Sequence, residues 1–151
     1  MYLASIVLLM VVLPLGSLGA EWALHGGALA ALALKWFVFW AAGARLFAAG
    51  VKQVKDPLFT SQSLLGVPDP KAAVLVRELG FGNLSIGLLG LLSLPFPSFL
   101  VPAAVTAGVF LALAGLQHAA RGGGNAKEQI AMISDLGMAA VLAVLVAATL
   151  L

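Results

Sequence analysis

The stretch YLASIVLLMVVLPLGSLGA, Tyr2 to Ala20, carries no charged side chain and decides the class of fold. A helix needs roughly 20 apolar residues to cross the hydrocarbon layer of a bilayer, and this run meets that length. A cleaved signal peptide would show a basic n-region and a shorter apolar core. Neither feature is present, so the run is read as a retained span. Pro14 is expected to kink it, because proline removes a backbone donor and crowds the preceding turn.

Four further apolar stretches follow. The second runs from about Ala28 to Lys55, with its apolar heart between Trp36 and Val51. The third opens at Asp69-Pro70, where Asp suits a cap and Pro the first helical position, and closes at Pro95-Phe96-Pro97. The fourth spans Ser98 to His118 and stops at Arg121-Gly122-Gly123-Gly124, a flexible turn. The fifth opens with the capping-box-like Asn125-Ala126-Lys127-Glu128 and continues to Leu151. Polar/apolar alternation is missing and the runs are too long for strands. The expected architecture is therefore all-α, a polytopic membrane bundle of about five transmembrane helices. It forms one integral membrane domain over residues 1–151, without internal repeats.

Composition narrows the function classes. The 151 residues are 62% hydrophobic and 9% charged, with a mean hydropathy of +1.11. Soluble domains carry about a quarter charged residues, so a water-facing surface is out of reach. The net charge of +2 is too small for a nucleic-acid partner. Without cysteine there are no disulfides, thiolate nucleophiles, iron–sulfur clusters or covalent haem. No G-x-S-x-G, H-E-x-x-H or phosphate loop occurs, and Gly80-Phe81-Gly82 lacks the third glycine of a dinucleotide fingerprint. A catalytic residue is not assigned.

With five spans, Lys52, Lys55, Lys71, Arg121 and Lys127 share one side of the membrane, against Lys35 on the other. The positive-inside rule then places the N-terminus in the cytoplasm and the C-terminus outside. In the longest loop, DPLFTSQSLLGVPD (Asp56–Asp69), Leu58, Phe59, Leu64 and Leu65 fit a short interfacial helix, with a plain connector as the alternative.

Charged side chains in hydrocarbon are costly, so their positions carry information. At the helical rise, Arg45 lies about 15 Å below the basic end of its span, Arg77 and Glu78 about 10 Å and Asp135 about 14 Å. Gln117 and His118 sit within about two turns of that end, and Asn83 lies deeper. Arg45 shares a face with Val38, Ala41, Ala42, Ala48, Ala49 and Lys52. Trp36, Trp40 and Phe47 cluster within about 40° on the opposite face, expected to point at lipid or a partner. His118 shares a face with Ala104, Ala107, Ala114 and Gly115, and Gly80, Asn83, Gly87 and Gly90 form a heptad-like stripe. Glu78 points nearly away from that stripe, with Arg77 at its edge. The favoured pair is Arg45 with Asp135, then Arg45 with Glu78. Two readings stand side by side: interhelical pairs that only fix register, or a polar cavity opening to the cytoplasm.

The histidines are expected on opposite sides of the membrane, so one chain cannot grip a haem or metal with both. His25 and Glu21 have the spacing of a solvated i,i+4 pair. His118 beside Gln117 fits a helix-end cap or a donor to a quinone carbonyl. No metal or resident cofactor is expected; quinone is the one candidate.

The runs KWFVFWAAGARLFAAG (Lys35–Gly50) and VRELGFGNLSIGLLGLLSL (Val76–Leu94), with AGLQH (Ala114–His118) and SDL (Ser134–Leu136), resemble a group of small bacterial integral membrane proteins. That group is more distantly similar to the DoxX-like superfamily. The resemblance implies an inner-membrane bundle built on a four-helix core, one span fewer than here. It also implies subunits tied to quinone-linked oxidation, but assigns no catalytic residues. Three functions follow as expectations. The first is an accessory subunit of a larger membrane complex or homo-oligomer, contacting partners or lipid through Trp36, Trp40 and Phe47. The second is a small oligomeric transporter or channel-like binder using Arg45, Asp135 and Glu78. The third is a quinone-interacting protein using Gln117, His118 and Arg45.

Overall fold

The computed structural model describes residues 2–64, 66–67, 69–122 and 124–150, and among these it is helical with no strand. Five helices are long and apolar enough to cross a membrane: α1 Tyr2–His25, α2 Leu29–Lys55, α3 Ala72–Leu92, α4 Pro97–Ala120 and α5 Ala126–Leu150. The surface is inverted relative to a soluble protein. Leu75 and Ile133 are 69% and 68% exposed, while Ser61 and Glu128 are 0% and 3% exposed. Apolar side chains facing outward are what lipid tails solvate.

Helix α1 continues past Ala20 to His25, so Glu21 and His25 sit on a helix and not in a loop. It stops at Gly26, whose φ of +66° suits glycine, with its N–H bonded to Trp22 O at 2.8 Å. Wider, π-type turns interrupt α1 at Leu8–Val12 and α2 at Val38–Ala44. The first lies just before Pro14, which has no N–H to continue the α ladder. The regular part of α3 begins at Ala72. Asp69 accepts the Lys71 N–H at 2.9 Å in the preceding turn, three residues ahead of the helix proper. Asn125 caps α5 by accepting the N–H groups of Lys127 and Glu128 at 2.9 and 3.1 Å.

Helix α2 is the spine of the bundle. Leu34, Val38, Ala41, Ala42 and Leu46 pack with Ile6 and Met10 of α1, with Ala103, Ala107 and Leu111 of α4, and with Met138 and Leu142 of α5. On its other side α2 meets α3 along glycine. A Cβ on Gly43 would stand 2.8 Å from the Gly90 carbonyl carbon, and one on Gly50 would stand 2.7 Å from Gly80 O. A Cβ on Gly87 would collide with the Phe47 backbone. The two backbones therefore touch. Lipid tails are as apolar as leucine and give no hydrophobic push between helices, so such close packing is what holds them together.

Between α2 and α3, residues 57–64 form a short helical segment. Asp56 starts it by accepting the Phe59 N–H at 3.3 Å, and Lys52 donates to the same carboxylate at 2.6 Å. Leu58 and Phe59 are exposed while Thr60 and Ser61 are buried. Of the apolar residues expected on this loop, Leu65 lies outside the described residues.

Candidate ligand-binding cavity

At the end of the bundle that holds Lys52, Arg121 and Lys127, all five helices line a cavity of about 720 Å³. Ligand pockets occupy roughly 300–1,000 Å³. Its walls are mainly apolar, including Ile6, Leu9, Leu79, Phe110 and Leu113. Its polar residues come from separate helices: Arg45 and Gln53 from α2, Asn83 from α3, Gln117 and His118 from α4, and Asp135 from α5.

Arg45 donates from Nη2 to Asp135 Oδ1 at 2.5 Å and to Ser134 Oγ at 3.3 Å. Both side chains of the ion pair are close to nine-tenths buried. Removing one partner of such a pair leaves a bare buried charge, at a cost of about 3–5 kcal/mol. Asn83 donates to Gln53 Oε1 at 2.7 Å across the glycine seam. Two buried atoms remain without a hydrogen-bond partner among the described residues, Arg45 Nη1 and Asn83 Oδ1. Both belong to residues that line the cavity. Buried polar atoms are nearly always paired, with protein or with ordered water, so each of these two has room for one further partner.

The mouth is built from charge. Glu128, almost wholly buried, has Oε1 3.1 Å from His118 Nδ1 and 3.5 Å from Arg121 Nη1. The Phe59 ring lies beneath two ammonium groups, with Lys52 at 4.6 Å and Lys127 at 5.1 Å from its centroid. These cation–π contacts join the short segment to α2 and α5. The Lys52 ammonium beside Asp56 holds that exposed carboxyl below the usual carboxylate range.

The candidate residues fall into three groups. Arg45, Asn83, Gln117, His118 and Asp135 line one cavity. Arg77 and Glu78 do not; they are exposed on α3, and Arg45 meets Asp135 and not Glu78. Trp36 and Trp40 turn toward α1, where the sequence reading had them facing outward. Trp36 Nε1 donates to Glu21 Oε2 at 2.6 Å and Trp40 Nε1 to Ser17 Oγ at 3.0 Å. A half-buried indole N–H needs an acceptor, and α1 supplies both. Lys35 completes that outer cluster, donating to the two Glu21 oxygens at 2.7 and 2.8 Å. Glu21 is therefore engaged by Lys35 and Trp36, whereas its spacing had pointed to His25. Phe47 is half-buried with its backbone against Gly87.

Sequence reasoning passed over Gln53, Glu128 and Tyr2. Gln53 follows Gly50 by three residues, the helical spacing that returns a side chain to the glycine face. Local spacing reads Glu128 as part of a capping box, although His118 and Glu128 stand on either side of one short interhelical turn.

No family model, curated protein or solved structure matches the chain.

Proposed function

We propose that this chain is a small membrane-embedded binder or carrier that takes an amphipathic small molecule into the cavity between its helices. The observation that carries the reading is the pair of unsatisfied buried atoms, Arg45 Nη1 and Asn83 Oδ1, on residues lining about 720 Å³ of mostly apolar space. The resemblance to the DoxX-like superfamily belongs to the same proposal: its four motifs contribute Arg45, Asn83, Gln117 with His118, and Asp135, all to this one cavity. In this reading the chain sits in the bacterial inner membrane with the basic end and N-terminus cytoplasmic and the C-terminus outside. A quinone headgroup is one acceptor for Arg45 Nη1 and stays within the proposal.

The test uses a pyrene-labelled long-chain alcohol, with energy transfer from the native tryptophans as the signal. Wild type should bind it saturably. Ala48→Phe, which fills the cavity from the Arg45 face, should lose that binding while keeping its helical content. Equal binding by both proteins would refute the reading.

A second reading, an accessory subunit of a larger complex or homo-oligomer, is favoured by Arg77 and Glu78. Their side chains stand exposed within a membrane-length helix, with no hydrogen bond or ion pair among the described residues. A neighbouring chain would cover them. Photo-crosslinking from position 77 in native membranes tests this; labelling of lipid alone would count against it.

A further inference from the structure

We propose that the cavity's ligand is an anionic amphiphile drawn sideways from the surrounding leaflet, its acidic head on Arg45 and its chain along the apolar wall. The inference rests on the binding reading above and names the class of molecule. Three independent features of the site lead to it.

Arg45 has spent only part of its donor set. Nη2 serves Asp135 and Ser134, whereas Nη1 has no acceptor among the described residues. A guanidinium prefers an anionic oxygen above other acceptors. Asn83 Oδ1 has the complementary need, a donor. An acidic oxygen answers the first need and a hydroxyl the second.

The charge distribution selects the same sign. At the far end Glu21 and Lys35 pair and cancel, so the whole net charge of +2 resides on the cavity half of the molecule. Lys127 stands over the Phe59 ring among the cavity-lining residues, beside Lys52, whose ammonium is already paired with Asp56. An anionic head is drawn toward this end and a cationic one is repelled.

The third feature is the route. Leu79 of α3 and Leu113 of α4 line the cavity and are also 39% and 63% exposed. In this proposal the space beside them is the path that an acyl chain takes from the surrounding leaflet. A water-soluble anion has no use for such a flank; an acyl chain does.

The experiment uses full-length protein in phosphatidylcholine vesicles doped with an equal share of phosphatidylglycerol, followed by native mass spectrometry of retained lipid. Phosphatidylglycerol should be retained over phosphatidylcholine by about tenfold or more, the scale of one hydrogen bond to a charged group. The double substitution Arg45→Gln with Asp135→Asn leaves no bare charge, and it should bring the two lipids to parity. Asn83→Leu should weaken retention of the hydroxyl-bearing lipid. Free palmitate forms a second arm. Displacement of the lipid by palmitate makes the carboxylate head sufficient, and failure to displace makes the glycerophosphate head the recognised one; both keep the anionic class. Equal retention of the two lipids by wild type, or an unchanged preference in the double variant, overturns the proposal. If the pyrenyl alcohol still binds in that case and Ala48→Phe still blocks it, the cavity reading survives and only the anionic class falls. If neither lipid nor alcohol binds, both fall together.

Discussion

Arg45 of α2 and Asp135 of α5 form an ion pair joining two helices that are distant in sequence, with Ser134 as a second acceptor for the same guanidinium nitrogen. The pair borders open space on one side and the alanine-rich core on the other. It therefore does two jobs: it fixes the rotation of α2 against α5, and it holds Arg45 beside the cavity with its second guanidinium nitrogen buried and unpaired among the described residues. Its energetic signature distinguishes it from a surface bridge.

Arg45→Gln alone and Asp135→Asn alone should each destabilise the protein, by about 3 kcal/mol, because each leaves an unpaired buried charge. The double variant should cost clearly less than the two added together. Equilibrium unfolding in mixed micelles by a denaturing detergent checks this; strict additivity would mean that the two groups do not interact.

The glycine seam gives a sharper contrast. Gly87→Ala places a methyl into the Phe47 backbone and should cost about 1–3 kcal/mol by overpacking. Gly82 lies on the same helix with nothing within 4 Å of where a Cβ would be, and Gly82→Ala should stay within about 0.5 kcal/mol of wild type. Similar losses at both positions would show that α3 does not pack on α2 through this stripe.

Asn83→Ala removes the hydrogen bond to the Gln53 side chain across the seam and should cost about 0.6–1.7 kcal/mol, from the average to the maximum for interhelical hydrogen bonds in a membrane protein. Adding Gln53→Ala should cost little more. A thermal melt followed by circular dichroism reads the difference.

At the mouth, Asp56 should titrate below an ordinary aspartate, since Lys52 donates to it. A carboxyl with a folded pKa below its unfolded one adds stability above the unfolded value and loses it as pH falls through the folded value. Any contribution from this contact is thus present at neutral pH and fades in acid. Lys52→Met should return the carboxyl midpoint toward about 3.9, as read by carbon-detected NMR. An unchanged midpoint would remove Lys52 as the cause.

The fold was legible because bilayer thickness imposes one length on every span, and five runs of that length stand out from polar turns. Helical periodicity also located the faces bearing Arg45, His118 and the Gly80–Gly90 stripe, since small residues gather where helices touch. The aromatic face was another matter. Apolarity alone puts Trp36 and Trp40 outward, but their N–H groups are polar, and α1 offers Ser17 and Glu21 one turn apart as acceptors. Angular analysis of a single helix cannot see such a neighbour. The π-type turn at Val38–Ala44 also changes the rotation between Trp36 and Arg45, a shift that a fixed 100° step omits. Glu128 was hidden for a related reason: its local spacing explained it as a cap, whereas its partner His118 belongs to the preceding helix.

The cavity itself is tested most directly by thiol labelling, for which a chain without cysteine is ready-made. Single cysteines at Ala48, on the cavity wall, and at Ile133, on the outer face, would be exposed in vesicles to a charged methanethiosulfonate reagent. The cysteine at position 48 should react readily and be protected by the pyrenyl alcohol, while the one at 133 stays inert in lipid. Equal inertness at both positions, or reactivity at 48 that no amphiphile slows, would contradict a ligand-accessible cavity beside Arg45.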